Sequence, residues 1–375
     1  MRYAFVILLF LIFFSTYSQE IIFRSGGRFV LGTDKQRSAS IGTGDLDNDG
    51  DIDVIVANGR HWPGQNLIFF NNGHSTFTVS KPLDLIEDTS YATEIADLDN
   101  DGDLDVAVGN DMAPNIIYLN DGKGNFTRSG SFGADYSPTR NLKIADVDMD
   151  GDMDILVTNR GAENEICMND GKGNFTETFH FGTKDDSTID VDVADMDGDN
   201  DMDLVLANRD GQQNYVYLNN GKMEFTQKIP FGTGSDETRA VAVADFDGDG
   251  YLDIATANID EPNVIYFGSK EFNYERSIVF DTDKSASYSI AVGDLNGNNI
   301  PDLVIANVNS FNTVFLSINK GNKWQKIVLG KEKLNTYDIV LADINNDGKP
   351  DILESNSDEI NKYYINLGPP VKTDN

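Results

Sequence analysis

An aspartate-rich loop recurs seven times along the chain at a nearly fixed interval, and no other feature narrows the possible folds as far. The first copy reads DLDNDGDIDVIVAN, residues 45 to 58, and later copies begin at Asp97, Asp146, Asp195, Asp245, Asp294 and Asp343. Successive spacings are 52, 49, 49, 50, 49 and 49 residues, the signature of one supersecondary unit repeated. In the first copy Asp45, Asp47 and Asp49 can turn their carboxylates inward around a tight loop, Gly50 gives the bend, and Asp53 returns as a fourth oxygen donor. Hard oxygen donors at that density suit Ca²⁺. An EF-hand would need a bidentate Glu at the twelfth position and a helix after it. Here the twelfth residue is Val56, inside a β-branched run. Only the last copy carries a Glu there, Glu354, and Pro350 with the following DILESN opposes a helix.

Each repeat reads as four short strands. Stretches before the loop alternate (RAVAVAD, IDVDVAD), those after it are short and apolar (LDIATAN, MDLVLAN), a third follows (NVIYFG, NYVYLN), and a fourth starts at a Phe after a Gly-containing turn (NDGKGNFT, NNGKMEFT). No interval carries apolar residues at helical spacing for the length a helix needs. Four antiparallel strands in each of seven repeats predict an all-β chain folded as a seven-bladed β-propeller. The seventh repeat has three strands (YDIVLAD, DILESN, KYYINL) and no fourth, while RFVLGT, residues 28 to 33, matches the end of a fourth strand such as FHFGT, 179 to 183. The N-terminal segment is therefore expected to supply the missing strand and cover an otherwise open edge.

Composition bounds where such a chain works. Arg2, the apolar run from Ala4 to Phe14 and the small polar residues after it predict a signal peptide over 1–18, the alternative being an N-terminal anchor helix. The propeller then occupies 19–368, with a tail at 369–375, and the protein is expected to be secreted, periplasmic or on the cell surface, without membrane insertion after cleavage and as a monomer. Cys167 is the only cysteine and lies in a predicted strand, which reads as a buried, inert thiol. Net charge is −33, and 25 carboxylates stand at loop ligand positions. Seven Ca²⁺ would leave about −19, which argues against nucleic acid as a partner.

These repeats resemble FG-GAP repeats, also called VCBS repeats, of the kind that form the propeller of integrin α-subunits and many secreted bacterial proteins. The resemblance covers residues 28 to 368. It implies that each loop joins the first and second strands, with Ca²⁺ ligands at positions one, three, five and nine and a backbone carbonyl at seven. Carried over by position, the second loop supplies Asp97, Asp99, Asp101 and Asp105, and the third Asp146, Asp148, Asp150 and Asp154. The fourth supplies Asp195, Asp197, Asp199 and Asp203, with Asn200 at the bend, and the fifth Asp245, Asp247, Asp249 and Asp253. Departures come in the sixth, Asp294, Asn296, Asn298 and Asp302, with Asn299 for the glycine, and in the seventh, Asp343, Asn345, Asp347 and Asp351. Five to seven Ca²⁺ are expected, the sixth site being the weakest.

Strand alternation places the metal loops and the third-to-fourth turns on one face, leaving the opposite face for ligand. On that face each second-to-third loop is bracketed by two asparagines, from Asn58 and Asn66 to Asn356 and Asn361, regular enough to be turn formers. The longest of these loops, GRHWPGQ, concentrates Arg60, His61 and Trp62, a sugar or peptide platform unless the Trp folds over the blade edge. Six residues before each first aspartate stand Ala39, Tyr91, Arg140, Ile189, Arg239, Tyr288 and Tyr337, with Arg160 and Arg209 in nearby loops. In a ring these surround the channel mouth, either to bind a carboxylate or glycan or simply to pack and pair with acids such as Asp210 and Asp236. Two functions fit: a non-enzymatic binding or adhesion module for a glycan or an extracellular protein, and a polysaccharide lyase using a Tyr or His beside an Arg against a uronate.

Overall fold

The computed structural model describes residues 21–369, so the expected signal peptide and nearly all of the expected tail lie outside the described residues. Each aspartate loop closes a β-hairpin, as in the second repeat, where Ser90–Ala96 runs antiparallel to Asp105–Asn110, with Ala96 opposite Asp105. Asn115–Asn120 and Phe126–Phe132 complete that unit. Repeats two to five form four separate four-stranded sheets in this way. Repeats six, seven and one are joined in an eleven-stranded sheet, and within it the pairing follows the same four-strand order.

Burial explains the apolar runs. In the first six repeats the first six residues of the second strand are all buried, as in Asp53–Asn58 and Asp203–Asn208. Its side chains alternate between two neighbours: Val54 and Val56 pack toward the seventh repeat with Leu353 and Tyr363, while Ile55 packs toward the second with Val106 and Tyr118. Both faces are covered, so neither needs a polar residue. Among the described residues seven such clusters form, each drawn from two successive repeats. Cys167 lies fully buried in one of them, and burial pushes its thiol up to about 12, as an inert core residue.

The N-terminal segment closes the seventh repeat as its sequence predicts. Val30 and Leu31 pair with Lys362 and Asn361, and Phe23 and Arg24 pair with Asn366 and Ile365. Strand Val30–Gly44 then continues without interruption into the innermost strand of the first repeat. Innermost strands pack each against the next, and Leu334–Ala342 packs against Val30–Gly44, so the circle is complete.

A ring of side-chain hydrogen bonds on one face, and a partial one on the other, stitch the repeats together. The bracketing asparagines hold their own loop: Asn58 N–H donates to Asn66 Oδ1 at 2.8 Å, and the same bond recurs in every repeat. They also reach outward. Asn66 Nδ2 donates to Ser90 of the next repeat, whose hydroxyl donates to Asn110, and Asn361 Nδ2 donates to Ser38 of the first repeat. On the opposite face the amide of Asn71 donates to Ile344 O, and Asn120, Asn169 and Asn366 repeat the bond to their own neighbours.

Candidate functional site

Five aspartate loops bring carboxylates together. Oxygens of Asp45, Asp47 and Asp53 lie within 4.8 Å of one another, as do those of Asp97, Asp99 and Asp101, of Asp146, Asp148 and Asp154, of Asp195, Asp197 and Asp199, and of Asp245, Asp247 and Asp253. The loop builds itself from the same carboxylates. Asp45 accepts the N–H groups of Asp49 and Gly50, which folds the backbone back on its first residue. That path needs positive φ at the bend, +91° at Gly50 and +73° at Asn200, a conformation Asn also tolerates. The ninth-position aspartate is buried, and its two oxygens accept the N–H of the second loop residue and an N–H at the end of the third strand, Leu46 and Asn71 in the first repeat. Burial pushes Asp53, Asp154, Asp203 and Asp253 up to about 7.

The residues fit a hard cation. Asp47 Oδ1 and Asp146 Oδ1 are buried with no hydrogen-bond donor, a costly state for a carboxylate that a bound cation would remedy. Loops six and seven differ. Asn296 Nδ2 donates to Asp302 at 2.9 Å and Asn345 Nδ2 to Asp351 at 3.2 Å, so an amide inside the loop does part of the work of the missing charge. Loop five has a cationic partner from outside the loop. No Lys or Arg lies within it in sequence, yet Arg276 reaches in from beside the fourth strand, stacks over Phe267 and pairs with Asp247. Nothing in the loop's own residues signals that partner.

At the other end of the channel the residues six before each loop are gathered, and the pairing shows why. In every repeat the strand register slips across that residue, for example between Ser90 and Ala92 and between Thr139 and Asn141. A bulged residue is released from the ladder and its side chain is re-aimed, here into a mouth of about 250 Å³. Tyr91, Arg140, Ile189, Arg239, Tyr288 and Tyr337 line it, joined by Arg60, His61, Arg160 and Arg209 from the loops. Ala39 is too short to reach the mouth and lines the deeper channel, beside Glu94, Lys143, Asp190, Asp192 and Asp338. Trp62 also stands apart. It does not line the mouth and is not folded into the blade edge, but is 63% exposed, with Arg37 stacked over its ring at 5.6 Å.

The mouth is ordered by charge. Arg140 pairs with Asp111 at 2.6 Å and lies over Tyr91 at 4.6 Å. His61 contacts Asp111 through Nδ1 at 2.6 Å and the Tyr91 hydroxyl through Nε2 at 3.1 Å. Burial opposes it, yet these hydrogen bonds from Arg140 and His61 hold the Asp111 carboxyl below its usual range. Arg160 grips Asp210 with two nitrogens at 2.7 and 3.0 Å, while Asp236 accepts from Thr233 and, among the described residues, pairs with no arginine. Asp111 stands at the repeat position that carries Arg160 and Arg209 in the next two repeats, and the change of residue type there hid it.

Seven in-phase loop hairpins on a closed all-β circle, five of them placed to hold a cation, define a repeat propeller with an aspartate loop in each blade. A family described as FG-GAP-like repeat matches residues 45–108, 97–157, 146–206, 195–256, 245–305 and 294–354, and the chain belongs to it. No curated protein matches the chain. Among solved structures the chain is similar to BBS1N in complex with ARL6DN, in crystals soaked with lead and with mercury. Each has a TM-score of 0.63 and 12% identity, covering 92% of this chain and 96% of that one, a likeness of fold.

Proposed function

We propose that the chain is an extracytoplasmic, Ca²⁺-stabilised binding module that takes a glycan or a protein surface at the channel mouth. The observation that carries this reading is the bulge at the same position of every inner strand, which aims side chains from separate repeats into one cavity. A scaffold needing only to pack has no use for so many cations and tyrosines facing solvent at one point. Propellers host many functions, so the site and not the fold supports the reading. BBS1N, of similar fold, was crystallised in complex with ARL6DN. The residues over 1–18 support export, and among the described residues no helix is long and apolar enough to cross a membrane.

Trp62→Ala tests whether the exposed rim takes part. Its side chain is mostly in solvent, so the melting temperature should stay within the ~0.5 kcal/mol typical of surface changes, while retention on a glycan or cell-surface array falls about tenfold or more. An equal loss of stability and binding would remove Trp62 from the site.

A second reading rests on the Asp111–His61–Tyr91 chain beside Arg140. A carboxylate that orients an imidazole against a phenol is an acid–base arrangement, and an adjacent guanidinium can neutralise a uronate carboxylate, as a polysaccharide lyase requires. Incubation with uronate polysaccharides separates the two. The binding module gives no rise in unsaturated-product absorbance, and a rise abolished by Tyr91→Phe would make the chain a lyase.

A further inference from the structure

Not all of the arginines at the mouth are alike. Arg140 and Arg160 are held by Asp111 and Asp210, and Arg209, whose Nε is buried without a hydrogen-bond acceptor, still has two carboxylates beside it, Glu237 at 3.5 Å and Asp210 at 3.8 Å. Arg239 makes no ion pair or hydrogen bond among the described residues and has only the ring of Tyr288 beneath it, at 5.4 Å. Burial pulls its guanidinium below the usual range, offset in part by Asp190 deeper in the channel. Arg60 sits over Tyr337 at 4.3 Å, its one carboxylate neighbour is the exposed Asp358 at 3.9 Å, and its Nε is buried with no acceptor. Tyr288 and Tyr337 meet edge to face at 4.9 Å. Two under-partnered guanidiniums thus flank a joined pair of tyrosine rings on the wall of one cavity.

We infer that this wall is a subsite for a carboxylate-bearing sugar residue, with Arg239 as the principal counter-charge and Arg60 as the second. The inference rests on the reading of the mouth as the ligand site. A guanidinium fork matches a carboxylate with two parallel hydrogen bonds, and its strength grows where water is excluded. In a chain of net charge −33 an anion is otherwise repelled, so a place for one has to be built locally; among the described residues the acids Glu94, Asp190, Asp192 and Asp338 line the deeper channel and not the mouth. Size and surface favour a sugar over an acidic peptide. About 250 Å³ lies below the ~300–1,000 Å³ of drug-sized pockets and suits a single ring. Tyrosines present an apolar face to the ring and a hydroxyl to its own hydroxyls.

The test is calorimetric titration of the full Ca²⁺-loaded chain with trigalacturonate, with its neutral methyl ester and with pentaglutamate, at low and high salt. Trigalacturonate alone should bind, more weakly as salt rises. Arg239→Gln should weaken it at least tenfold, equivalent to about 1.4 kcal/mol. The same variant should melt at or above the parent, because a charge without a partner has been removed. A packing residue would lose stability on substitution, so a lower melting temperature, or unchanged affinity in the variant, overturns the assignment. Equal binding of the methyl ester, or binding of pentaglutamate in place of the sugar, overturns it as well. Capture of a neutral glycan at the mouth without trigalacturonate binding would refute this subsite and leave the binding module standing, whereas an array with no captured ligand would count against the module itself.

Discussion

Removal of divalent cations is expected to lower the melting temperature steeply, because the folded chain gathers carboxylates that only a cation reconciles. Extracellular Ca²⁺ modules bind at about 10⁻⁴ to 10⁻³ M. At roughly 1 mM Ca²⁺ a site with a dissociation constant of about 0.1 mM stabilises the fold by RT ln 11, about 1.4 kcal/mol. Five such loops together contribute on the order of 7 kcal/mol, comparable with the ~5–15 kcal/mol net stability of a domain. Chelation should therefore move the transition by many degrees, and metal analysis should return five to seven Ca²⁺ per chain.

One substitution gives this a sharper form. Burial and the neighbouring Asp150 and Asp146 charges raise the Asp148 carboxyl, so its charge opposes folding unless an ion is bound. Asp148→Ala should then lower the melting temperature in Ca²⁺ but not in EDTA. Asn296→Ala in the sixth loop, which loses a single hydrogen bond to Asp302, should cost less in Ca²⁺ and about the same in both conditions. Fewer than three bound ions, or melting indifferent to EDTA, would refute the Ca²⁺ reading.

The second large effect concerns the seam. A chain lacking residues 19–33 should aggregate or melt far below the parent. It loses the pairing of residues 23–24 and 30–31 with the last strand, and it loses Phe29 and Leu31 from the cluster between repeats seven and one. The exposed edge of Asp351–Asn366 becomes a template for another chain, and Tyr363 loses its edge contact with Phe29. Leu31→Ala is a milder variant, with an expected cost of about 2–5 kcal/mol for a buried leucine. A truncated chain that stays monomeric and melts like the parent would mean that another segment holds the circle shut.

What could be read from the residues and what could not divides by periodicity. Repeat length, strand order, the metal loops and the N-terminal strand all leave a mark at fixed intervals, so comparison between repeats exposes them. The mouth was half legible: position six before each loop is periodic, but the bulge that turns Tyr91 or Arg239 inward belongs to the pairing of two strands, not to the residue itself. The serine or threonine one residue earlier, such as Ser38 and Ser90, was equally periodic and passed over, since its partner asparagine lies in the preceding repeat. Asp111 and Arg276 occupy repeat positions whose residue type varies, so comparison between repeats does not single them out. Asp111 meets Arg140 of the next repeat and Arg276 meets Asp247 of its own.

The seam also sets a timetable. Loop hairpins join residues a few positions apart, such as Leu46 and Asp53, and can form as soon as one repeat exists. Ser38 and Asn361 are separated by 323 residues, and joining them costs chain entropy of about 5 kcal/mol by the loop-closure relation. Nothing rewards that cost until the last strand is present, so folding is expected to end, slowly, where the chain began. During synthesis or export, which deliver the N-terminal end first, the first repeat must wait with one flank bare until the seventh arrives.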